Sequence, residues 1–426
     1  MLRVRHALAG LGILSAACLS AGCGASDTRS VLHFWAMGRE GEVVQELLPE
    51  FERLHPDIRI EVEQLPWSEA HQKLLTAVAG DSTPDLCQLG NSWIPEFVAL
   101  KALAPLQQRI AASATIQPAD YFSGIWDSNA AGAAIYGVPW YVDTRLLFYR
   151  TDLIAEAGFA APPASWSEWL RVLAAIKERA HGERYGILLP LNEYDPLIAL
   201  ALQQSQPMLR DNGTHGNFAN PEFERTFGFY VDMFRNRYAP SLRESEISNV
   251  WTEFGRGYFA FYISGPWDID EFRRRLPAAL EGKWMTAPLP GRDGPGASIA
   301  GGSSLAVFRG SKHLDTAWQL IEFLSQPAVQ RRFYTLTGDL PPRRSSWDVP
   351  EIAADPLTQA FRDQLERVKP RPKVAEWERI ATEMQLMTER VVRGDLTVHE
   401  GVVELDARTD AILAKRRQLL AEGAAL

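Results

Sequence analysis

Apolar residues follow two alternating periods along the first third of the chain. Short apolar runs with the spacing of strands are separated by longer stretches in which apolar residues recur every three or four positions, as in helices. Pro49 lies inside the first helical stretch and is expected to kink it. This order of elements predicts a mostly parallel sheet covered by helices on both faces, an α/β fold. The predicted elements are a strand at residues 31–36, a helix at 42–54, a strand at 58–62, a helix at 68–79 and a strand at 85–89.

The same alternation continues through the rest of the chain. Ser165 is a suitable N-cap for one of the later helices, because it follows two prolines and precedes an amphipathic stretch. The predicted helices lie at residues 166–180, 223–234, 250–257, 315–325, 374–393 and 397–420, and the predicted strands at 185–190, 258–263, 283–290 and 305–308.

The segment 136–152 joins aromatic and acidic side chains to a buried strand. A turn leads into Trp140, Tyr141 and Asp143, and the apolar run 146–149 follows at once. Two aromatic rings and a carboxylate suit a polar ligand with a flat apolar face, such as a sugar. A crossover strand whose aromatic residues belong to the core would show the same pattern. The residues themselves leave both interpretations open.

Loops that follow the predicted parallel strands also carry polar and aromatic residues. In such sheets, ligands bind beyond the carboxyl ends of the strands. Three loops fall there: the first holds Arg39 and Glu40, the second holds Trp67, and the third spans residues 90–93 and includes Trp93. Tryptophans at these places also suit hydrophobic packing, and adjacent charges are often a solvated surface pair.

Glycines mark two further strand ends. Gly265 and Pro266 place Trp267 at the end of one predicted strand, and Gly301 and Gly302 precede another. Consecutive glycines allow the backbone to approach a ligand closely. They do not form a phosphate-binding loop, because the spacing of the known glycine-rich phosphate motifs is absent.

Residues 1–23 have the features of a signal peptide. A basic start is followed by an apolar stretch at residues 7–19, which is too short to span a bilayer. Small residues precede Cys23, so the segment resembles a lipoprotein cleavage site at which Cys23 is lipidated and begins the mature protein. Ser20 departs from the usual aliphatic residue, which leaves cleavage without lipidation open. Residues 24–30 are predicted to form a polar tether.

Charge and composition argue against several classes of protein. The formal net charge is −9, whereas a nucleic-acid binder needs a basic stripe. No cluster of Cys and His has metal-ligand spacing, so no metal or cofactor is predicted. A secreted glycoside hydrolase would need two carboxylates about 5–10 Å apart, which Glu40, Asp143 and Asp268 could supply. No hydrolase motif is visible, so neither catalytic residues nor an enzyme are predicted.

Several short motifs follow one another along residues 31–420. They are Phe34-Trp35 before a helix that ends near Pro49-Glu50-Phe51-Glu52, Thr83-Pro84-Asp85-Leu86, Tyr136-Gly137-Val138-Pro139 before residues 147–153, Pro163-Ala164-Ser165-Trp166, Gly265-Pro266-Trp267, and Gly301-Gly302. In this order and spacing they resemble the extracellular solute-binding proteins, family 1, that bind carbohydrates for bacterial ABC importers.

The resemblance implies a two-lobed periplasmic-binding-protein fold, type II-like, with the ligand in a cleft between lobes joined by a three-segment hinge. It places the N-terminal lobe at residues 31–142 and 300–342, and the C-terminal lobe at 143–299 and 343–426. It also implies a monomer that closes on a sugar and docks on the membrane permease subunits of an ABC importer. Its expected location is the periplasm or the outer face of the cytoplasmic membrane.

Within this family the chain is most similar to the trehalose/maltose-binding proteins, through Tyr141-Val142-Asp143 and Pro370-Arg371-Pro372. That likeness implies an α-linked disaccharide such as trehalose or maltose as the ligand. Another oligosaccharide or a glycerol phosphodiester on the same fold stays open. The ligand contacts that it implies are Glu40, His71, Asn91, Tyr141, Asp143, Trp267, Gly302, Ser303 and Arg371.

Three positions depart from the pattern of the trehalose/maltose-binding proteins. Gly90 stands where those proteins can have Asp, although Asn91 lies beside it. Ser303 replaces a Trp, and His71 replaces an Arg. These departures leave the identity of the sugar open.

Overall fold

Two separate β-sheets organise the chain. A computed structural model describes residues 29–422, except the side chain of Glu351. The predicted signal peptide and the predicted lipidation of Cys23 lie outside the described residues. The strands are β1 Ser30–Met37, β2 Ile58–Leu65, β3 Leu86–Gly90, β4 Ala130–Ala131, β5 Ala134–Ile135, β6 Val138–Asp143, β7 Leu146–Arg150, β8 Tyr185–Leu188, β9 Leu209–Arg210, β10 His215–Gly216, β11 Phe259–Ser264, β12 Trp284–Ala287, β13 Ser298–Ile299, β14 Gly301–Val307 and β15 Val368–Lys369.

The first sheet has the strand order β2-β1-β3-β14-β6. Strand β1 pairs in parallel with β2 and β3, as the alternating strand and helix patterns predict. Strand β14 enters between β3 and β6 and runs antiparallel to both. The second sheet has the order β12-β7-β11-β8, in which only the β11–β8 pair is parallel. Each sheet forms the centre of one lobe.

Helices cover both sheets. Within residues 29–422, none of them is long and apolar enough to cross a membrane. The helices are α1 Gly38–Val43, α2 Leu48–Leu54, α3 Trp67–Ala79, α4 Ile94–Ala99, α5 Gln107–Ala112, α6 Ser123–Asp127, α7 Thr151–Glu156, α8 Trp166–Arg179, α9 Asp195–Ala201, α10 Pro221–Arg235, α11 Val250–Arg256, α12 Trp267–Arg275, α13 Leu314–Leu324, α14 Pro327–Thr337, α15 Pro350–Ala353, α16 Pro356–Leu365, α17 Trp377–Arg393, α18 Val398–Ile412 and α19 Ala414–Ala421.

Two of the predictions are wrong because each single predicted helix is divided in the structure. Residues 42–54 do not form one kinked helix, because α1 ends at Val43 and α2 begins at Leu48, with a 3₁₀ turn between them. Pro49 lies in the first turn of α2, where its missing N–H breaks no helical hydrogen bond. The predicted helix 397–420 is likewise divided at Leu413, where the Arg417 guanidinium donates to the carbonyl oxygen of Asp410 at 2.8 Å.

The chain passes from the first sheet to the second between Asp143 and Leu146. It returns between β13 and β14, and α13 and α14 then pack on the first sheet. The third passage falls between Phe333, in the core of the first lobe, and Trp347, in the core of the second. The lobe boundaries at individual residues stay a prediction.

The core of the first lobe settles the role of Trp140. This ring is 2% exposed and stacks on Phe333, with 4.5 Å between the ring centroids. It therefore belongs to the core of the first lobe. The apolar run of β7 is buried in the core of the second lobe. Cys87 is also buried, in β3, and is a free thiol.

Candidate functional site

A cavity of about 460 Å³ lies where the carboxyl ends of β1, β3 and β6 meet the second lobe. Side chains of both lobes line it. The lining residues are Glu40, Trp67, Gly90, Asn91, Ser92, Trp93, Tyr141, Asp143, Arg145, Trp267, Gly302, Ser303, Asp339 and Arg371. Its size falls within the roughly 300–1,000 Å³ of small-molecule sites.

The cavity brings together all of the residues proposed from sequence except His71. The His71 imidazole lies behind the wall, with its Nε2 atom 2.7 Å from a carboxylate oxygen of Glu96. Its ring packs against Trp93 at a centroid distance of 4.8 Å. His71 therefore supports a lining residue in this structure and is not itself part of the lining. Contact between the other residues and a ligand stays a prediction.

Several lining residues are not among those predicted from the sequence. Trp67 and Trp93 lie in loops after predicted strands, where tryptophans suit packing in the core equally well. Arg145 and Asp339 also line the cavity, and no local motif marks either one. Arg145 lies two residues beyond Asp143, in the link between the sheets. Asp339 follows Gly338, whose φ of 83° ends α14.

A hydrogen-bonded group of side chains forms one wall of the cavity. Gln88 accepts from the Met37 amide at 2.7 Å and donates from Nε2 to the Tyr141 hydroxyl at 3.1 Å. The Ser303 hydroxyl also donates to the Tyr141 oxygen, at 3.0 Å. Burial raises the pKa of the Tyr141 hydroxyl, and the nearby Glu40 charge raises that pKa further. Because Gln88 is fully buried, it holds the Tyr141 hydroxyl in one orientation.

Four charged side chains form a network, and three of them, Asp143, Arg145 and Arg371, line the cavity. Arg145 donates to Asp143 at 2.8 Å and to Asp195 at 2.7 Å, and Arg371 donates to the other oxygen of Asp195 at 2.7 Å. Burial acts to raise the pKa of Asp195, but the Arg371 and Arg145 guanidiniums hold that pKa below its usual value. Burial also raises the pKa of Asp143, despite its contact with Arg145. Two carboxylates balance two guanidiniums, so the network is close to neutral.

Two tryptophans present ring surface to the cavity. Of the chain's thirteen tryptophans, Trp67 and Trp267 have the highest exposed fraction, at 38% and 37%, and both are lining residues. Trp267 begins α12, and the Arg145 guanidinium lies over its ring, 4.6 Å from the centroid. A Cβ atom at Gly265 would come within 1.9 Å of the Trp267 ring, so glycine is required at that position.

Backbone conformation brings β14 close to β6 at the cavity. Gly302 has a φ of 123°, and a Cβ atom there would lie 2.3 Å from the carbonyl oxygen of Tyr141. The predicted close approach at this glycine pair is therefore an approach to another strand of the sheet. The side-chain amide nitrogen of Asn91 is already hydrogen-bonded within the protein, because it donates to Ser128 at 2.9 Å and to the Ala300 carbonyl at 3.0 Å. Its carbonyl oxygen remains as the group that it can offer a ligand.

The side chains of the site are suited to binding a ligand. Fixed carboxylates and guanidiniums are suited to hydroxyl groups, and indole faces are suited to apolar ring surfaces. Within residues 29–422, no three His, Cys, Asp or Glu side chains are grouped so that they could hold a metal ion.

Comparisons with known proteins agree with this geometry. The profile of the family described as "Bacterial extracellular solute-binding protein" matches residues 36–331. Among solved structures, the sugar-binding protein MalE from the phytopathogen Xanthomonas citri is 54% identical, with a TM-score of 0.90 over 92% of this chain and 99% of that chain.

Two curated relatives are more distant. The diacetylchitobiose binding protein DasA of Streptomyces coelicolor is 23% identical over 355 residues, which are 79% of this chain and 82% of its own. The maltotriose-binding protein of Pyrococcus abyssi is 24% identical over 340 residues, which are 78% of this chain and 71% of its own.

The comparisons confirm the predicted family and the two-lobed α/β fold. These relatives are named as binding proteins rather than as enzymes, so the hydrolase alternative is set aside. The family match covers more than half of the chain, and the cavity lies between two lobes as such a protein requires. The chain belongs to the bacterial extracellular solute-binding proteins.

Proposed function

We propose that the protein is the extracytoplasmic sugar-binding component of an ABC importer and that its ligand is an α-linked disaccharide such as trehalose or maltose. The observation that carries the proposal is the placement of Trp67 and Trp267. They are the two tryptophans with the highest exposed fraction, and both line one cavity. The names of the similar proteins support a sugar, because MalE is described as sugar-binding and another relative as maltotriose-binding.

The lining supplies both kinds of contact that a sugar ring needs. Carboxylates and guanidiniums pair with hydroxyl groups, while an indole face covers the C–H side of the ring. Glu40, Tyr141, Asp143, Trp267 and Arg371 are the proposed contacts with the clearest chemistry. Asn91, Gly302 and Ser303 complete the proposed set, and His71 supports Trp93 from behind.

Charge in the cavity favours a neutral ligand over a glycerol phosphodiester. Both guanidiniums of the lining, Arg145 and Arg371, already pair with Asp143 and Asp195. Glu40 and Asp339 add acidic groups to the same lining. A phosphodiester would therefore meet no surplus of positive charge, whereas anion sites need one. A longer oligosaccharide remains the second candidate, because relatives of this chain are named for maltotriose and diacetylchitobiose.

Lobe closure is the proposed mechanism. Glu40 and Ser303 belong to the first lobe, Trp267 belongs to the second, and Arg145 lies in the link between the two sheets. A ligand that touches both sets of residues favours the closed state by its difference in affinity for the two states. The closed, monomeric protein would then deliver the sugar to a membrane permease. Export by residues 1–23 and anchoring through Cys23 belong to the same proposal.

A thermal-shift screen tests the proposed ligand class. The panel contains trehalose, maltose, maltotriose and a glycerol phosphodiester. A cognate ligand at about 100 times its Kd stabilises the folded state by roughly 2.7 kcal/mol. We expect a clear rise in melting temperature with an α-linked disaccharide and none with the phosphodiester. A panel in which no sugar raises the melting temperature would contradict the proposal.

A further inference from the structure

Two carboxyl groups that line the cavity come from different parts of the fold. Glu40 lies in the first turn of α1, and Asp339 follows α14. The two residues are 9% and 8% exposed. Such burial is rare for acidic residues unless a cation pairs with them.

Neither carboxyl has such a cation. Within residues 29–422, neither Glu40 nor Asp339 lies within 4.0 Å of a Lys, Arg or His nitrogen in an ion pair, whereas Asp143 and Asp195 both have arginine partners. Arg39 is close enough to act on both acids, but its guanidinium donates to the carbonyl oxygen of Leu336 at 2.9 Å. The two acids therefore share the cavity wall without a neutralising contact.

The groups around Glu40 and Asp339 do not neutralise the negative charge of these two carboxyls. On β6, the Tyr141 hydroxyl lies close to Glu40, and the Asp143 charge acts on Asp339. On α14, the Thr337 hydroxyl accepts from the Asp339 backbone amide at 3.0 Å and donates to the Phe333 carbonyl, and Asp270 on α12 lies beside Gly338. Burial raises the pKa of both carboxyls, and the Glu40 charge further raises the pKa of Asp339. Like charges in one buried site favour the form that keeps one proton.

We infer that Asp339 is a further sugar-recognising residue, and that it and Glu40 hold a single proton between them, which the sugar complex keeps to a higher pH than the free protein does. This inference rests on the proposed function. A sugar hydroxyl both donates and accepts hydrogen bonds, and a pair of carboxyls with a single proton offers one donor together with several acceptors. Asp339 also lies beside a passage between the lobes, because the carbonyl oxygen of the next residue, Leu340, accepts from the Val142 amide at 2.9 Å.

Protonation and binding are then linked. A bound sugar removes the last water from both carboxyls, so the complex keeps the shared proton to a higher pH than the free protein does. Above the pKa of the free pair, sugar binding takes up a proton. The affinity should fall by up to about tenfold per pH unit in that range, which is the slope for one linked proton.

Calorimetric titration of trehalose and maltose, in two buffers with different heats of ionisation, measures this proton uptake. Runs at about pH 5.5, 7 and 8.5 cover the range in which a carboxyl with a raised pKa titrates. We expect proton uptake and weaker binding at the highest pH for the wild type. Asp339→Asn should remove the uptake, and Asp293→Asn, the same change in an exposed loop, should retain it. Affinity independent of pH, or release of a proton, would overturn the inference while leaving the proposed function intact.

Thermal unfolding of the ligand-free protein provides a readout that needs no sugar. A carboxyl whose pKa is raised by folding contributes stability below its unfolded pKa, and that contribution is lost as the pH rises through the folded pKa. The melting temperature of Asp339→Asn relative to the wild type should therefore rise between about pH 5 and pH 8. A constant difference would exclude the shared proton. If no sugar binds the wild type at any pH, the proposed function fails instead.

Discussion

Trp267 shows how a single side chain can be held in place and still remain available to a ligand. Its ring rests on the Arg145 guanidinium, and the missing side chain of Gly265 leaves room for it. More than a third of the residue stays exposed. A tryptophan that contributed only to the core would be covered, as Trp140 is. The exposure of Trp267 is therefore better explained by ligand binding than by packing.

Replacing Trp267 with Ala should weaken sugar binding without unfolding the protein. Loss of a central tryptophan contact raises the binding free energy by at least about 2 kcal/mol, or roughly 30-fold in Kd. The free energy of unfolding should change by no more than about 1 kcal/mol, because the ring is partly exposed and loses one cation–π contact. Titration calorimetry and urea unfolding measure the two quantities.

Trp35→Ala is the matched control for that variant. Trp35 is partly buried outside the cavity, with the Lys73 ammonium 4.9 Å from its ring centroid. Its loss should leave the sugar affinity unchanged. An unchanged affinity in Trp267→Ala itself would return Trp267 to a structural role.

At the scale of secondary-structure elements, a prediction was correct where a single local sequence signal determined the structure. Ser165 caps α8 with a complete capping box that involves Glu168, as its position after two prolines predicted. Pro49 misled the prediction because proline is equally suited to kinking a helix or starting one, and the sequence pattern does not separate the two. Whether Pro49 kinks a helix or starts one therefore depends on the neighbouring elements.

Contacts between distant elements could not be predicted from local patterns. Strand β14 enters the first sheet from more than 200 residues beyond β3, with Ser303 opposite Gly90. Asp195 joins Arg145 and Arg371, which lie 50 and 176 residues away along the chain. The family resemblance supplied most of the lining residues, but it did not include Arg145 and Asp339, since no local motif marks either one.

Strand β14 depends on Gly302. Substitution by Ala would place a Cβ atom 2.3 Å from the Tyr141 carbonyl at a φ of 123°, which L-residues rarely adopt. Gly302→Ala should lower the free energy of unfolding by more than about 1 kcal/mol and should weaken sugar binding, because β6 must move. Gly294→Ala is the control, since no atom lies within 4 Å of its added Cβ. Equal urea midpoints for the two variants would contradict this account of the strand.

The ion network requires Asp195 as its central carboxylate. Its side chain is 13% exposed and holds two arginines at 2.7 Å. Asp195→Asn should destabilise the protein by about 3 kcal/mol, because it leaves buried guanidiniums without their partner. The exposed pair of Asp315 with Arg109 is the control, and Asp315→Asn should cost less than about 1 kcal/mol. Similar losses of stability in both variants would show that the network contributes no more than a surface pair.

At the scale of the whole molecule, the cavity connects the lobes. Its acidic and hydroxyl groups lie mainly on the first lobe, Trp267 lies on the second, and Arg145 lies in the link between the two sheets. The Lys373 ammonium also reaches Asp127, the last residue of α6, at 2.8 Å. A ligand that bridges the same gap would add to the contacts that favour closure. Binding and change of shape should therefore occur together.

Small-angle X-ray scattering tests that coupling. Addition of a cognate sugar to the wild-type protein should decrease the radius of gyration, since closure brings the two lobes together. Trp267→Ala at the same sugar concentration should keep the radius of the free protein. A radius that does not change on saturation with sugar would show that binding does not require closure.

Calorimetric titration of trehalose and of maltose into the purified wild-type protein tests directly whether the cavity binds an α-linked disaccharide through Trp267. We expect saturable one-to-one binding of at least one of these sugars, and a Kd at least about 30-fold higher in Trp267→Ala. Absence of binding by both sugars, or equal affinity of the wild type and Trp267→Ala, would contradict this proposal.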